Sequence, residues 1–217
     1  MEESTSREKI FKNIRDALIN KSDNPYKVTD WSSSVFAELE DSPDVSFASE
    51  FTRIGGKFIY CDHEKDFAAS FQQLQKEMGS GITYCLESNI KGIFDHYGIK
   101  YSSREEDFEK QTLGVSGCEF LIARLGSIMV SSAMESGRRM NVYPEIHAVV
   151  AYASQILPDL KDAIKAMKKK YGNRLPSMIT NISGPSRTAD IEKTLVMGAH
   201  GPKELFLFLI EDRNLNQ

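Results

Sequence analysis

The sequence lacks most of the patterns by which redox, metal and nucleotide sites are recognised. It has only three cysteines, Cys61, Cys85 and Cys118, and they are too far apart to form a C-x-x-C pair. This spacing argues against a zinc or iron–sulfur site within the chain, and each cysteine is predicted to be a small buried apolar residue. Neither G-x-G-x-x-G nor G-x-x-x-x-G-K-[ST] occurs, so no NAD, flavin or P-loop nucleotide site is assigned. We therefore expect no cofactor in this chain.

Long apolar runs and an excess of positive charge are also missing. The net charge is −4, which argues against broad electrostatic attraction to nucleic acid or anionic lipid. No apolar run approaches the roughly 18 residues of a membrane span, and the first residues carry no apolar core of the signal-peptide type. These absences predict a cytoplasmic protein with no membrane and no nucleic-acid partner.

What is present is the composition of an ordinary globular domain, with 41% hydrophobic and 27% charged residues. Apolar residues at helical spacing predict an amphipathic helix over 5–20. Residues 21–50 show no compact core, although Trp31 is a candidate anchor for this stretch. We therefore predict an N-terminal helix and irregular arm over 1–45, followed by a single α/β domain over 46–217.

Strand and helix patterns alternate from residue 57 onwards, which predicts a mainly parallel sheet with flanking helices. Strands are predicted at 57–62, 82–87, 126–132, 146–153, 177–183 and 205–211. Helices are predicted at 64–78, 88–98 and 158–171. The lysines of the last helix, including Lys170, are interpreted as a solvated face.

The stretch NISGPSRTADIEKTLVMGAHGP, residues 181–202, raises the main functional question. Its second half, from Thr188 to Gly198, is predicted to be a helix of about three turns. Ser186 or Thr188 would cap this helix, and Asp190 would lie in its first turn, where the helix dipole favours negative charge. In this interpretation the stretch is a well-capped turn between two strands.

A second interpretation makes the same turn a ligand loop. Gly184, Pro185, Ser186 and Arg187 would connect the carboxyl end of a strand to a helix N-terminus, where ligands bind in open α/β sheets. Arg187 would clamp a carboxylate or phosphate, and Ser186 and Thr188 would donate hydroxyl groups. Composition alone leaves the structural turn and the anion-binding loop equally open.

The histidine of the following GAHGP run is a further candidate for this site. Gly201 and Pro202 are expected to hold His200 close to the carboxyl edge of the sheet, as a general base or a ligand donor. His147 is interpreted as a structural histidine. The pair Arg138 and Arg139 is either an exposed loop or a contact for an anion or an acidic partner.

Three sequence segments together resemble one known family. SGPSRTADIE followed by GAHGP is similar to the C-terminal signature of the lactate-utilisation (LUD) family of the LutC/YkgG type. GVSGCEFLIARLGSIMVSS and GRRMNVYPEIHAVV also resemble segments of this family. The resemblance covers about residues 113–210, and more loosely the region from about residue 45.

The resemblance implies a NagB/RpiA/CoA-transferase-like fold and a part in the oxidation of L-lactate to pyruvate. The implied partners are an iron–sulfur oxidoreductase subunit and a related LUD-bearing subunit, and the clusters are implied only in a partner. The resulting hypothesis is an accessory protein with a small anionic ligand bound by Gly184–Thr188, Asp190 and Gly201, and with His200 and Glu119 as catalytic candidates. Whether the chain is itself an enzyme stays open.

Two alternatives accompany this hypothesis. The chain can be a non-catalytic docking subunit that binds an iron–sulfur oxidoreductase through its N-terminal arm. Less favoured is a CoA-transferase-like enzyme, in which Glu119 would be the nucleophile or general base by analogy of fold. The simpler interpretation of Glu119 is a first-turn helix acid.

The sequence departs from the family at one loop. Where the family usually has an acidic residue and a Thr-Gly-Thr run, this chain has Arg124, Leu125, Gly126 and Ser127. If the loop contacts a ligand, Arg124 reverses a charge there and Leu125 removes a hydroxyl group.

Overall fold

The structure, a computed structural model, describes residues 5–19, 30, 36–79, 81–191 and 194–213. Trp31 lies outside these residues. The chain divides into two units, Met1–Glu38 and Leu39–Gln217. In the first unit, helix α1 (Ser6–Ile19) confirms the helix predicted over 5–20, and none of its residues is buried.

The second unit contains all the strands and the remaining α-helices of the described residues. The helices are α2 (Pro43–Arg53), α3 (Glu64–Met78), α4 (Ser88–Tyr97) and α5 (Leu160–Tyr171). The strands are β1 (Lys57–Cys61), β2 (Ile82–Cys85), β3 (Gln111–Ser116), β4 (Phe120–Ile122), β5 (Ser127–Ser131), β6 (Ile146–Tyr152), β7 (Ile156–Leu157), β8 (Ile179–Ile182), β9 (Arg187–Ile191), β10 (Thr194–Met197) and β11 (Glu204–Ile210).

Five strands form a wholly parallel sheet in the order β1-β11-β6-β3-β2, which confirms the predicted α/β fold class. Its two faces are both buried, as expected for a parallel sheet. Along β6, Ala148 and Val150 pack with α3 and α4, whereas Val149 and Ala151 face the opposite side. All four side chains are at most 3% exposed.

A second sheet, in the order β7-β4-β5-β8, covers that opposite side. Its pairs β4–β5 and β5–β8 are antiparallel, and β4–β7 is parallel. Ile122 and Met129 point away from the parallel sheet and pack on Ala163 and Met167 of α5. The second unit is therefore a four-layer stack of helices, parallel sheet, second sheet and helix. The predicted strands 126–132 and 177–183 exist as β5 and β8, but they belong to the second sheet.

Helix α2 corrects the interpretation of residues 21–50 as a stretch without a compact core. Pro43 occupies the first turn, where its missing N–H costs nothing. Phe47 and Phe51 follow one helical turn apart, are fully buried, and stack with ring centroids 5.5 Å apart. They join the core between the two sheets, so this segment is part of the main domain.

The helix predicted over residues 188–198 is wrong, because β9 and β10 form an antiparallel hairpin there. Arg187 pairs with Met197, and Thr188 pairs with Val196. Ser186 and Thr188 therefore cap no helix, and Asp190 lies in a strand rather than in a first helical turn. The β-branched residues of the segment favour an extended backbone. At the open end of the hairpin the Gly198 amide donates to the Ser186 carbonyl at 3.1 Å.

Candidate functional site

The signature loop, residues 184–188, lies beside the turn that precedes β1. The Arg187 guanidinium donates to the Ile54 carbonyl at 2.8 Å. Gly55 and Gly184 both have positive φ, at 93° and 83°. A Cβ at Gly55 would overlap the Arg187 guanidinium, and one at Gly184 would lie 2.6 Å from the Ile54 oxygen. The two glycines are thus required by the close approach of the loop and the turn.

The GAHGP run closes the other side of the signature loop. The Ser186 amide donates to the Pro202 carbonyl at 2.8 Å, and a Cβ at Gly201 would lie 3.2 Å from the Ser186 Cβ. Pro185 is buried at this junction. The two halves of the signature therefore interlock, and the backbone N–H of Ser186 is used in this contact rather than being available to a ligand.

His200 lies at the amino edge of the parallel sheet, which corrects its predicted position near the carboxyl edge. The reason is topological: residues 200–203 lead directly into β11, so they lie where that strand begins. A cavity of about 630 Å³, called here the amino-edge cavity, opens beside His200. Its wall also includes Gln111, Tyr143, Glu145, Gly201 and Lys203. Lys203 is paired with Glu145 at 2.7 Å.

Glu119 lies at the opposite, carboxyl edge of the sheet, in the turn from β3 to β4. Its side chain is 1% exposed and is held by three donors. Ser131 and Tyr171 donate to Oε1 at 2.6 and 2.7 Å, and Lys170 donates to Oε2 at 2.8 Å. The backbone N–H of Glu119 donates to the Met129 carbonyl, so the residue belongs to the second sheet rather than to a helix start.

These contacts decide the charge of the cluster. Burial alone would raise the pKa of Glu119, but the hydrogen bonds from Lys170, Ser131 and Tyr171 outweigh it and hold that pKa below its usual value. Burial would lower the pKa of Lys170, yet its bond to Glu119 raises it. Glu119 is therefore a carboxylate and Lys170 an ammonium at neutral pH. A carboxylate held in this way is a weak base and has little freedom to attack a substrate.

A polar cavity of about 240 Å³, called here the carboxyl-edge cavity, adjoins this cluster where β2, β3 and β6 end. Its wall consists of Glu87, Asn89, Gly117, Cys118, Glu119, Ala133, Met134, Glu135, Val150, Tyr152, Gln155, Lys170 and Tyr171. Sequence reasoning missed most of these residues. Lys170 was assigned to a solvated face, and no local pattern links it to Glu119, which lies 51 residues earlier.

His147 and Ser116 form a separate buried pair between the sheets. Nε2 of His147 lies 2.8 Å from the Ser116 Oγ, and the Ser116 hydroxyl also lies 3.0 Å from the Gly117 carbonyl. The Nδ1 atom is buried and has no hydrogen-bond partner among the described residues. Burial lowers the pKa of His147 to about 4. The ring is therefore neutral at pH 7, in a structural setting as the sequence predicted.

The remaining candidates have local partners. Arg139 binds Glu105 at 2.5 Å, and Arg138 donates to the Ser177 hydroxyl at 2.6 Å. Arg124 pairs with Asp159, which precedes α5, and it lines neither the amino-edge nor the carboxyl-edge cavity. The arginine that departs from the family pattern therefore forms an ion pair within the fold.

The three cysteines are buried, and burial raises the pKa of each thiol, to about 12 for Cys61 and Cys85. Among the described residues, no group of three or more His, Cys, Asp or Glu side chains is arranged to hold a metal ion. In the same part of the chain no helix is both long enough and apolar enough to span a membrane.

The predicted site residues thus fall into two groups. The structure brings Gly184, Pro185, Ser186, Arg187 and Thr188 together with Gly201, and it places His200 in the adjacent loop. Glu119 lies at the other edge of the sheet, in a different cavity.

The fold defines an α/β protein with a wholly parallel main sheet, and comparison with known proteins identifies its family. The model of the LUD domain matches residues 46–210, so the chain belongs to the LUD domain family. Its relatives are of the LutC/YkgG type. Lactate utilization protein C of Halalkalibacterium halodurans is 30% identical over 135 residues, which cover 61% of this chain and 58% of the relative. YkgG of Escherichia coli, described as uncharacterized, is 38% identical over 106 residues, covering 48% and 46%.

The matched region therefore spans only about half the length of these curated relatives. A crystal structure of a DUF162 family protein from Deinococcus radiodurans is similar in fold, with a TM-score of 0.56 and 15% identity. The similarity covers 77% of this chain and 96% of that one.

Proposed function

We propose that this chain is a LutC-type accessory protein of L-lactate utilisation, acting in the oxidation of lactate to pyruvate. The observation that carries this proposal is the match to relatives named Lactate utilization protein C, within a family model that spans most of the chain. The proposed partners are an iron–sulfur oxidoreductase subunit and a related LUD-bearing subunit.

The chemistry supports a division of labour between the subunits. Oxidation of lactate to pyruvate releases two electrons and two protons, which need an acceptor. Cys61, Cys85 and Cys118 are separately buried thiols, unlike the convergent thiolates that hold a cluster. We therefore propose that the iron–sulfur clusters and the electron transfer belong to the partner subunit.

Within this role, the signature loop is the proposed site for a small anionic metabolite. Arg187 is exposed, and its guanidinium is bound to a backbone carbonyl rather than to a carboxylate among the described residues. Its charge is therefore not neutralised by an ion pair there. His200 and Gly201 line the adjoining amino-edge cavity and would contribute polar contacts.

Growth of the source organism tests the proposal. Deleting the gene for this chain should abolish growth on L-lactate and leave growth on pyruvate unchanged, and the wild-type gene should restore it. Arg187→Ala should fail to restore growth, whereas Arg174→Ala, which removes another exposed arginine, should restore it fully. Normal growth of the deletion strain on L-lactate would refute the role. Full rescue by Arg187→Ala would refute only the anion site.

A docking role is the second candidate, and helix α1 favours it. Ile10, Phe11, Ile14 and Leu18 form an apolar stripe, and each is at least 50% exposed. A helix of this length is marginal in water without packing partners, so this face is suited to contact another protein. If the chain only docks, co-purification with the iron–sulfur subunit should survive Arg187→Ala and be lost when residues 1–38 are deleted.

The CoA-transferase-like alternative has less support. A nucleophilic Glu119 would need a free oxygen directed at the substrate, whereas Ser131, Tyr171 and Lys170 occupy both of its oxygens. The arrangement favours a positioning role for this carboxylate. Detection of a covalent acyl adduct on Glu119 after incubation with an acyl-CoA would reverse this conclusion.

A further inference from the structure

The carboxyl-edge cavity is dominated by negative charge. Glu87, Glu119 and Glu135 line it, and among the residues that the structure describes Lys170 is the one cation in its wall. Lys170 is paired with Glu119, so these two charges largely cancel. Glu87 and Glu135 remain, and they would repel a carboxylate or phosphate that entered the cavity.

Glu135 has a structural function at this wall. Its Oε2 accepts a hydrogen bond from the Ser88 amide at 2.5 Å, at the first turn of α4. The hydrogen bond from Ser88 lowers the pKa of Glu135, and the nearby charge of Lys91 lowers it further. The Glu135 carboxylate thus already lies at the positive end of the α4 helix dipole.

Glu87 is not matched in the same way. It is only 8% exposed, and one of its oxygens accepts a long hydrogen bond of 3.3 Å from the Ser136 amide. The other oxygen has no hydrogen-bond partner among the described residues. That oxygen is not sealed from solvent, so it is open to the cavity that Glu87 lines. A donor that enters the cavity would restore the missing bond.

The rest of the wall is suited to the same kind of ligand. Tyr152 and Tyr171 both line the cavity, together with the apolar side chain of Met134. The Lys170 ammonium already lies 5.4 Å from the centroid of the Tyr171 ring, so the aromatic contact for a ligand cation would come from Tyr152. The volume of about 240 Å³ lies below the range of roughly 300–1,000 Å³ typical of drug-sized ligands, so only a small compound fits.

We propose that the carboxyl-edge cavity binds a small organic cation, a compound with a primary ammonium group that donates to Glu87. Glu119 takes no part in binding, because Ser131, Tyr171 and Lys170 already occupy its two oxygens. This site lies at the opposite edge of the parallel sheet from the signature loop. The inference therefore goes beyond the proposed role in lactate utilisation and does not depend on it.

A panel of isosteric probes tests the inference on the full chain. Butylammonium, butanol and butyrate share a four-carbon chain and differ in charge, so isothermal titration at about 0.15 M salt separates charge from size. Butylammonium should bind saturably and at least about tenfold more tightly than the other two, since a hydrogen bond to a charged group is worth about 1.5–3 kcal/mol. Equal or tighter binding of butyrate, or no saturable binding of butylammonium, would overturn the inference.

Two variants assign the binding to this cavity. Glu87→Gln should weaken butylammonium binding about tenfold or more, whereas Glu77→Gln, the same charge change on the exposed face of α3, should leave it unchanged. If Glu87→Gln fails to fold, Lys170→Met provides an independent test, since it removes the competing cation and should strengthen binding. Weaker binding in Lys170→Met, or identical binding in Glu87→Gln, would refute the site. Because growth on L-lactate is not the readout, failure here leaves the proposed function untouched.

Discussion

At the scale of single residues, His147 shows what burial does to a titratable group. The ring has no exposed surface, and within the described part of the chain only its Nε2 atom has a hydrogen-bond partner. The arrangement in which Nε2–H donates to Ser116, and Ser116 donates to the Gly117 carbonyl, leaves a bare lone pair on Nδ1. An unpaired lone pair costs less free energy in the buried core than an unpaired N–H or an imidazolium ion would. The residue therefore resists protonation.

This resistance predicts a specific loss of stability in acid. Because burial lowers the folded-state pKa to about 4, the unfolded chain takes up the proton first, near its ordinary value of about 6.5. The contribution of neutral His147 is complete above about pH 6.5, and it is lost as the pH falls towards 4. The slope is up to about 1.4 kcal/mol per pH unit, or about 3 kcal/mol in total.

Urea unfolding of wild type and His147→Leu between pH 7 and pH 4 measures this contribution. The wild type should lose stability more steeply than the variant, in which Ser116 keeps its bond to the Gly117 carbonyl. Parallel pH profiles would show that His147 titrates normally in the folded state.

At the scale of elements, the sequence predicted helices α3, α4 and α5 because each has a regular apolar face and short connections. It was wrong over residues 188–198, since apolar and polar residues there suit either a helix or a short hairpin. The deciding contacts are remote in sequence: Arg187 binds Ile54, and Ser186 binds Pro202. The helix and strand propensities of the segment itself contain no information about these contacts.

Replacing Gly184 or Gly92 with alanine should change the stability of the protein in opposite directions. Gly184→Ala should destabilise the protein by more than about 1 kcal/mol, because φ is 83° and the new Cβ would meet the Ile54 oxygen. Gly92→Ala should stabilise it by roughly 0.5–1 kcal/mol, since Gly92 lies within α4 and nothing is within 4 Å of its Cβ position. Thermal unfolding of both variants measures the effects. Unchanged or increased stability of Gly184→Ala would contradict the structure of the signature loop.

At the scale of the whole molecule, the parallel sheet separates the two candidate sites. Every strand of that sheet runs in the same direction, so the turns before the strands collect at one edge and the turns after them at the other. The signature loop and His200 lie at the amino edge, and Glu119 lies at the carboxyl edge. One ligand site built from all of them, as first hypothesised, would have to span the sheet.

The boundary between the two units predicts how far the chain can be shortened. Deleting residues 1–38 should leave the second unit with nearly the melting temperature of the full chain. Deleting residues 1–45 should lower it by several degrees, because the first turn of α2 and the bond from Arg213 to Asp44, 2.6 Å long, are lost. Equal melting temperatures for the two truncations would show that the start of α2 contributes nothing to the core.

The sequence by itself determined the α/β class, most of the strands and helices, and the family, because these depend on local periodicity and on a long signature. It also identified Glu119 and Arg187 as unusual. Only the tertiary structure decided that these residues lie at opposite edges, that Lys170 and Glu87 belong with Glu119, and that the signature continues into a hairpin. The deciding contacts lie outside any local pattern, such as those of Glu119 with Lys170, 51 residues later, and of Arg187 with Ile54, 133 residues earlier, and such contacts leave no periodic trace in a single chain.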